Sequence, residues 1–374
     1  MASGADRISN LPDVILHHIL SLLPAQDAVR TCVLAQSWRH HWRSTPAVRV
    51  AGCTGWAGGV YTFGPFVDGL LSARRGGAPL ESCDFELDVD LDLGPYDVPK
   101  MQRHVNGWIR RALRRGVRDL RFRVSVSSTP RLPLTLEDRP LVSEHLTRLE
   151  LVGVQGNAGV LDFSCCPALE NLVIEDCDVR SLEMHSPSVK HLRIRYCLFY
   201  SNNRTWMSFP SLVSFEFITN VGRVPVLDSL TEATDLKLSA YPDLYVFNRD
   251  LEWCPTFSKL KTLVLGYWFV SADLSALVWF LRHAPLLEKL TLKYLKVDNN
   301  LTKMGGNDKP LEQPIAASNL QIVEIKCKGV DGIVLEILEV LNDIGIPQEK
   351  VRVQVSGRKL SMNSHDSLCN CHVP

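Results

Sequence analysis

The chain has 374 residues, and its 41 Lys and Arg balance 41 Asp and Glu, so the formal charge at pH 7 is +0. That excludes a chain-wide field for polyanions, though not a local basic patch. Hydrophobic residues make up 45% and charged residues 22%: a folding composition, with no apolar run near the ~18 residues of a membrane span. The opening MASGADRISNLPD lacks the apolar core of a signal peptide. The eleven cysteines are therefore expected as thiols, the location as cytoplasmic and/or nuclear, and no membrane partner is expected.

The first element is Asn10–Ala25. Its apolar residues Leu11, Ile15, Leu16, Ile19, Leu20, Leu22 and Leu23 recur at a helical period. Ser9 or Asn10 can cap the first turn, Pro12 is tolerated there, and Pro24 ends the helix. Asp27 can cap a second helix over Ala28–Arg43, with Ala28, Val29, Val33, Leu34, Trp38 and Trp42 as its apolar set. About 45 residues bury too little surface to stand comfortably alone, so some of these groups need a further surface, either the rest of the chain or a partner.

Asp6-RISNLP-Asp13, Leu16-HHILSLL-Pro24, Asp27-AVR-Thr31, Val33-Leu34, Trp38-Arg39 and Trp42-Arg43 together resemble the F-box of plant F-box proteins, nearly ungapped over about 40 residues. The resemblance implies a Skp-family adaptor as partner, and through it the cullin and RING subunits of a ubiquitin ligase. Carried onto this chain, the adaptor-binding residues are Leu11, Pro12, Ile15, Leu16, Ile19, Leu20, Leu23, Pro24, Val29, Val33, Leu34 and Trp38. Two departures stand out: Ala35-Gln36-Ser37 where the family has a basic pair before the first Trp, and Asp13-Val14 where it has two acids. The apolar positions are intact, so adaptor binding is expected to survive, and the lost charges bear on its affinity.

Residues 51–104 read as a linker with a first irregular repeat, opening on the Gly-rich Gly52–Gly64, which lacks the Lys and Ser/Thr of a phosphate cradle. Next comes a basic helix. Arg110, Arg111, Arg114, Arg115 and Arg118 share one side, and Trp108, Ile109, Ala112, Leu113 and Val117 the other. A solvated face is preferred to a nucleic-acid site, with the acidic run Asp84, Glu86, Asp88, Asp90 and Asp92 available to neutralise it.

From Val117 a pattern repeats: Leu-x-x-Leu-x-Leu with apolar swaps, centred on Leu120, Leu149, Leu172, Leu192, Phe215, Leu236, Leu263, Leu290 and Val323. The spacings, 29, 23, 20, 23, 21, 27, 27 and 33 residues, suit leucine-rich repeats of ~20–29 residues in all but the last case. Cys177, Cys197 and Asn220 fall three places after the last apolar residue, where the motif wants Cys or Asn in a tight turn. Each unit should give one short strand and a return segment, so the fold class is α/β: a short helical F-box, then a curved solenoid with a parallel sheet on its concave face. Helices are expected at Leu274–Leu286 and Val334–Ile344. Residues 105–330 form the array, 331–360 a helix–strand cap and 361–374 a tail.

Positions flanking the buried ones form an interaction surface for an unidentified target: Arg148, Glu150, Asn171, Glu175, His191, Arg193, Arg195, Glu216, Lys237, Lys289 and Lys293. With Asp235, Glu324 and Lys326 it holds seven basic and five acidic residues, so a protein partner suits it better than a phosphate backbone. Val105–Phe122 and Glu339–Val353 resemble segments of plant F-box/FBD/leucine-rich-repeat proteins, which implies a non-catalytic substrate-recognition subunit. Two alternatives are a repeat scaffold with a degenerate F-box and a nucleic-acid binder using Arg110–Arg118. No nucleophile elbow, zinc-protease or nucleotide-binding motif is present, and Cys369-Asn-Cys371-His372 supplies three metal ligands where a structural zinc site takes four. No cofactor and no catalytic residue is expected.

Overall fold

The computed structural model describes residues 11–34, 36–52, 59–74, 80–89, 97–126, 134–200, 205–219, 230–240, 256–267, 274–294 and 319–355. Ser9, Asn10, Ala35, Asp90, Asp92, Asn220 and the Cys369–His372 cluster lie outside them.

The helical start is more broken than its periodicity suggests. Helix α1 (Asp13–Leu22) follows Pro12, and α2 (Ala25–Arg30) follows Pro24. Then come two 3-10 segments, Thr31–Val33 and Gln36–Ser44. The single helix expected over Ala28–Arg43 does not form. Pro24 lacks an N–H and sets φ near the helical value, so it starts the second helix three residues early. Asp27 sits in the first turn of α2, paired with Arg30 at 3.0 Å, and does not cap it. Leu16, Leu20, Ala28 and Trp38 form a small core of their own. Trp42 packs against both this core and the main one, joining the module to the rest of the chain.

The main element is a twelve-stranded, all-parallel sheet. Its nine sequence-predicted strands are β3 (Asp119–Val126), β5 (Arg148–Val152), β7 (Asn171–Glu175), β10 (His191–Arg195), β13 (Ser214–Thr219), β14 (Asp235–Ala240), β15 (Thr262–Tyr267), β16 (Lys289–Lys293) and β17 (Ile322–Cys327). The sheet also takes in β1 (Ala47–Ala51) and β2 (Ser82–Val89) at its start and β18 (Val351–Val355) at its end. The strands stand in chain order with no skip, as stacked repeats require; a doubly wound sheet would reverse direction part-way. The described residues of 51–104 carry the repeat-like part of the stretch read as a linker with a first irregular repeat. They hold the end of β1, all of β2, helix α3 (Val60–Ala73) and the start of α4 (Asp97–Arg114).

Register follows the motif. Leu120, Leu149, Leu172, Leu192, Phe215, Leu236, Leu263, Leu290 and Val323 are successive Cα partners across nine strands. Phe122, Leu151, Ile174, Ile194, Phe217, Leu238, Leu265, Leu292 and Ile325 form a second buried row beside them. Ordering ~20 residues costs at least ~20 kcal/mol of backbone entropy, whereas three buried leucines return ~5–9 kcal/mol. One repeat cannot fold by itself, and stacking supplies the remainder.

After the strand the chain turns through the left-handed region at equivalent places: Gly153 (φ 71°), Asp176 (φ 55°), Tyr196 (φ 53°) and Tyr267 (φ 66°). Gly153 has a second reason to be glycine, since a Cβ there would run into the carbonyl oxygen of Val124. Cys177 and Cys197 come next and are buried, their thiols donating to the carbonyls of Leu151 (3.4 Å) and Ile174 (3.5 Å) one repeat back. Short return strands form a second sheet from β4 (Leu134–Thr135), β6 (Val154–Gly156), β8 (Asp178–Val179) and β11 (Leu198–Phe199). A two-stranded piece pairs β9 (Glu183–His185) with β12 (Trp206–Ser208).

The return helices lie against the same core. Trp108 of α4 stacks on Phe85 (centroids 5.9 Å apart) and meets Phe63 edge-on. Helix α5 (Ser275–His283) and α6 (Gly332–Asp343) form where their apolar periodicity places them, and the Asp331 carboxylate caps α6 by accepting from Val334 N–H. No described helix is long and apolar enough to cross a membrane, and the seven described cysteines are free thiols.

Candidate functional site

The first candidate surface lies on the helical module. Helix α1 carries two apolar stripes at i, i+4, i+7 spacing, about 100° apart around the axis. Leu16 and Leu20, each 2% exposed, point inward with the half-buried Leu23. Ile15 (46%), Ile19 (39%) and Leu22 (54%) point outward. Val14 at 77%, Val33 at 83% and Leu34 at 71% add to the outward set. This divides the sequence-derived adaptor list. Pro12, Ile15, Ile19, Val33 and Leu34 are exposed; Leu11, Leu23, Pro24 and Val29 are partly covered; Leu16, Leu20 and Trp38 are inside. The last three pack against one another with Ala28 in the module's core. Val14 and Leu22 were missed as surface residues because periodicity alone does not say which of two adjacent stripes faces the core.

A buried cation ties the module to the end of α3. The Arg74 guanidinium donates to Trp42 O (2.9 Å), Thr45 Oγ1 (2.9 Å) and Thr45 O. Burial lowers its pKa to about 10. Nearby, His41 Nδ1 and His17 Nε2 approach to 3.2 Å between α1 and the second 3-10 segment. Burial, then His41, pull the His17 pKa below its usual value; Asp13 opposes this and Arg74 adds to it.

The second candidate surface is the face of the large sheet turned away from the core. The expected residues share it, bound by ion pairs around three carboxylates. Glu150 lies 2.9 Å from Arg123, 3.6 Å from Arg148 and 4.0 Å from Arg121. Glu216 takes Arg193 (2.9 Å), Arg195 (3.1 Å) and Lys237. Glu324 takes Lys289 (3.2 Å) and Lys326 (3.4 Å). Burial would raise the Glu216 pKa, but Lys237, Arg195 and Arg193 outweigh it and bring it below the usual carboxylate value. A shallow depression is lined by Arg148, Asn171, Val173, His191, Arg193, Ser214 and Glu216; Glu175 borders it, 3.9 Å from Arg195. Arg121 and Arg123 belong to this face and were missed, although they flank Leu120 and Phe122 in the same way.

The arginine helix is not an open basic face. Arg110 pairs with Glu137 at 2.8 Å, Arg111 with Asp68 at 2.8 Å, and Arg115 donates to the Arg74 carbonyl. Helix α4 itself ends at Arg114, leaving Arg114 and Arg118 exposed. Of the upstream acidic run, Asp84 and Glu86 lie on β2 beside Arg123, at 3.5 and 3.8 Å. Among the described residues no group of three His, Cys, Asp or Glu is placed to hold a metal.

The F-box domain model matches residues 8–47, the segment whose exposed and buried apolar residues were separated above. An F-box/LRR-repeat protein of Arabidopsis thaliana is 31% identical over 304 residues, which covers 67% of this chain and 72% of the relative. This chain belongs to the F-box/LRR-repeat family. A putative F-box protein of Arabidopsis thaliana is 34% identical over 210 residues, half of each chain. The MEIOTIC F-BOX protein MOF of Oryza sativa subsp. japonica is 27% identical over 394 aligned positions, covering 86% of this chain and 80% of that one. F-box/LRR-repeat proteins are non-catalytic substrate adaptors, and the relatives point to an F-box substrate-recognition protein.

Proposed function

We propose that this chain is the substrate-recognition subunit of an SCF-type cullin–RING ubiquitin ligase, working in the cytoplasm and/or nucleus. Its helical module docks a Skp-family adaptor, which brings the cullin and RING subunits. The exposed face of the sheet holds the target protein. Ubiquitin transfer is then accelerated by proximity: a target held beside a charged conjugating enzyme meets it at high effective concentration. No side chain of this chain takes part in bond chemistry.

The observation that carries this reading is the outward apolar set Val14, Ile15, Ile19, Leu22, Val33 and Leu34 on a module with its own separate core. Six large aliphatic side chains held in water are unfavourable unless a partner covers them, at ~1.5–3 kcal/mol for each one fully buried. Arg110, Arg111 and Arg115 are bound within the chain, which counts against the nucleic-acid alternative.

Purified adaptor provides the test. Val33→Asp with Leu34→Asp should abolish pull-down of the full chain while the circular dichroism stays that of wild type. If the double variant still captures adaptor, the docking assignment is wrong. If wild type captures none, the scaffold with a degenerate F-box replaces it.

A further inference from the structure

The charge on the sheet face is uneven. At the start, β2, β3 and β5 present Arg121, Arg123 and Arg148 against Asp84, Glu86, Asp119 and Glu150, so carboxylates match or exceed cations. The strands β7, β10 and β13–β17 present six cations, Arg193, Arg195, Lys237, Lys289, Lys293 and Lys326, against Glu175, Glu216, Asp235 and Glu324. Glu216 and Glu324 are each shared between cations, as described above. Lys293 has no ion pair among the described residues, yet its Cα partner on the next strand is Lys326. Paired parallel strands lie ~4.8 Å apart, so two like charges stand side by side where a sheet ordinarily places opposite ones. Burial and the neighbouring Lys237 and Lys326 hold the Lys293 ammonium below its usual pKa, with Glu216 opposing.

Between these lysines the side chains are small, and Ser239 and Thr291 are buried. Ser239 and Gly266 precede Lys293 in the same row of the sheet, and Thr291 lies one position away. Gly266 has no side chain, and a Cβ there would collide with the Ser239 hydroxyl. Small, neutral positions thus lie between cations that the described carboxylates do not balance. The described outward strand positions of this face carry no Phe, Tyr or Trp on which bases could stack, and one imidazole, His191. Glu216 and Glu324 interrupt the cations, which suits separated carboxylates better than a continuous phosphate backbone.

We propose that this cationic patch, marked by Lys237, Lys293 and Lys326, receives an acidic segment of the target protein, with Asp or Glu carboxylates supplying the counter-charge that the described strands lack. The proposal rests on the receptor reading above and names the chemistry of the target. A fluorescein-labelled decaglutamate peptide tests it by anisotropy on the full chain at 50 and 300 mM salt, beside a decaglutamine peptide and a 15-nucleotide oligothymidylate. Wild type should bind decaglutamate, weaken at least tenfold at the higher salt, and ignore decaglutamine. Lys293→Gln with Lys326→Gln should lose at least tenfold in affinity with an unchanged melting temperature, whereas Arg114→Gln with Arg118→Gln should bind like wild type. No binding by wild type, equal binding by the lysine variant, or tighter binding of the oligothymidylate overturns the proposal. Adaptor capture by the same samples keeps the two questions apart: if it persists while peptide binding fails, only the patch assignment falls.

Discussion

The two ends of the molecule solve opposite surface problems. The helical module hides a core of four residues and leaves large aliphatic side chains outside. The repeat array hides two unbroken apolar rows and sets ion-paired charge on the outward face of its sheet, with exposed apolar residues such as Trp206 and Leu335 elsewhere. An apolar exterior suits one partner that always covers the same patch; an ion-paired exterior suits partners that differ and must be told apart. Where a chain leaves its greasy residues therefore says which of its surfaces serves a constant neighbour.

The sharpest way to break the comparison is at the array core. Phe217→Ala removes a fully buried ring and should cost ~3–5 kcal/mol, read as a fall in the urea midpoint of the sheet transition. Leu20→Ala, in the small core of the module, should cost ~2–5 kcal/mol, and because that core is separate the sheet transition should barely move. One transition shifting as a whole in both variants would show that the two cores are not independent. Gly153→Ala should cost more than ~1 kcal/mol, combining a left-handed backbone with the encounter with Val124 O. Asp331→Ala removes the only side-chain cap described on α6 and should cost ~1 kcal/mol. The smallest effect is on pH. The folded His17 pKa lies below its unfolded value, so the unfolded module binds more protons as pH falls. The module's melting temperature should drop as pH passes down through about 6.5, and His17→Phe should flatten that slope.

Much of this was legible because the repeat motif and the strand register are the same physical fact. Alternate residues of a strand face one way, so Leu-x-Leu names its own buried pair. The three strands outside the repeat series each depart from the motif, β1 and β18 at its leading place and β2 at its centre. In β1 the corresponding place is Thr45, buried through its bonds to Arg74. In β2, Leu80-x-x-Cys83-x-Phe85 has a cysteine at the centre, and in β18 the leading place is Gln348. At the module the residues were legible but not their sides. Leu16 and Ile15, or Leu20 and Ile19, are equally apolar neighbours, and only packing against Trp38 and Ala28 separates inward from outward. The ion-pair hubs around Glu150, Glu216 and Glu324 depend on register between strands some 20 to 35 residues apart, which a list of exposed positions does not convey.

The central claim is that the outward aliphatic residues of the module exist for an adaptor. Calorimetric titration of a purified Skp-family adaptor into the full chain tests it most directly, comparing wild type, Val33→Asp with Leu34→Asp, and Lys293→Gln with Lys326→Gln. The account predicts saturable binding by wild type and by the lysine variant, and at least a hundredfold loss in the aspartate variant with its melting temperature unchanged. Binding of the aspartate variant within threefold of wild type would contradict it.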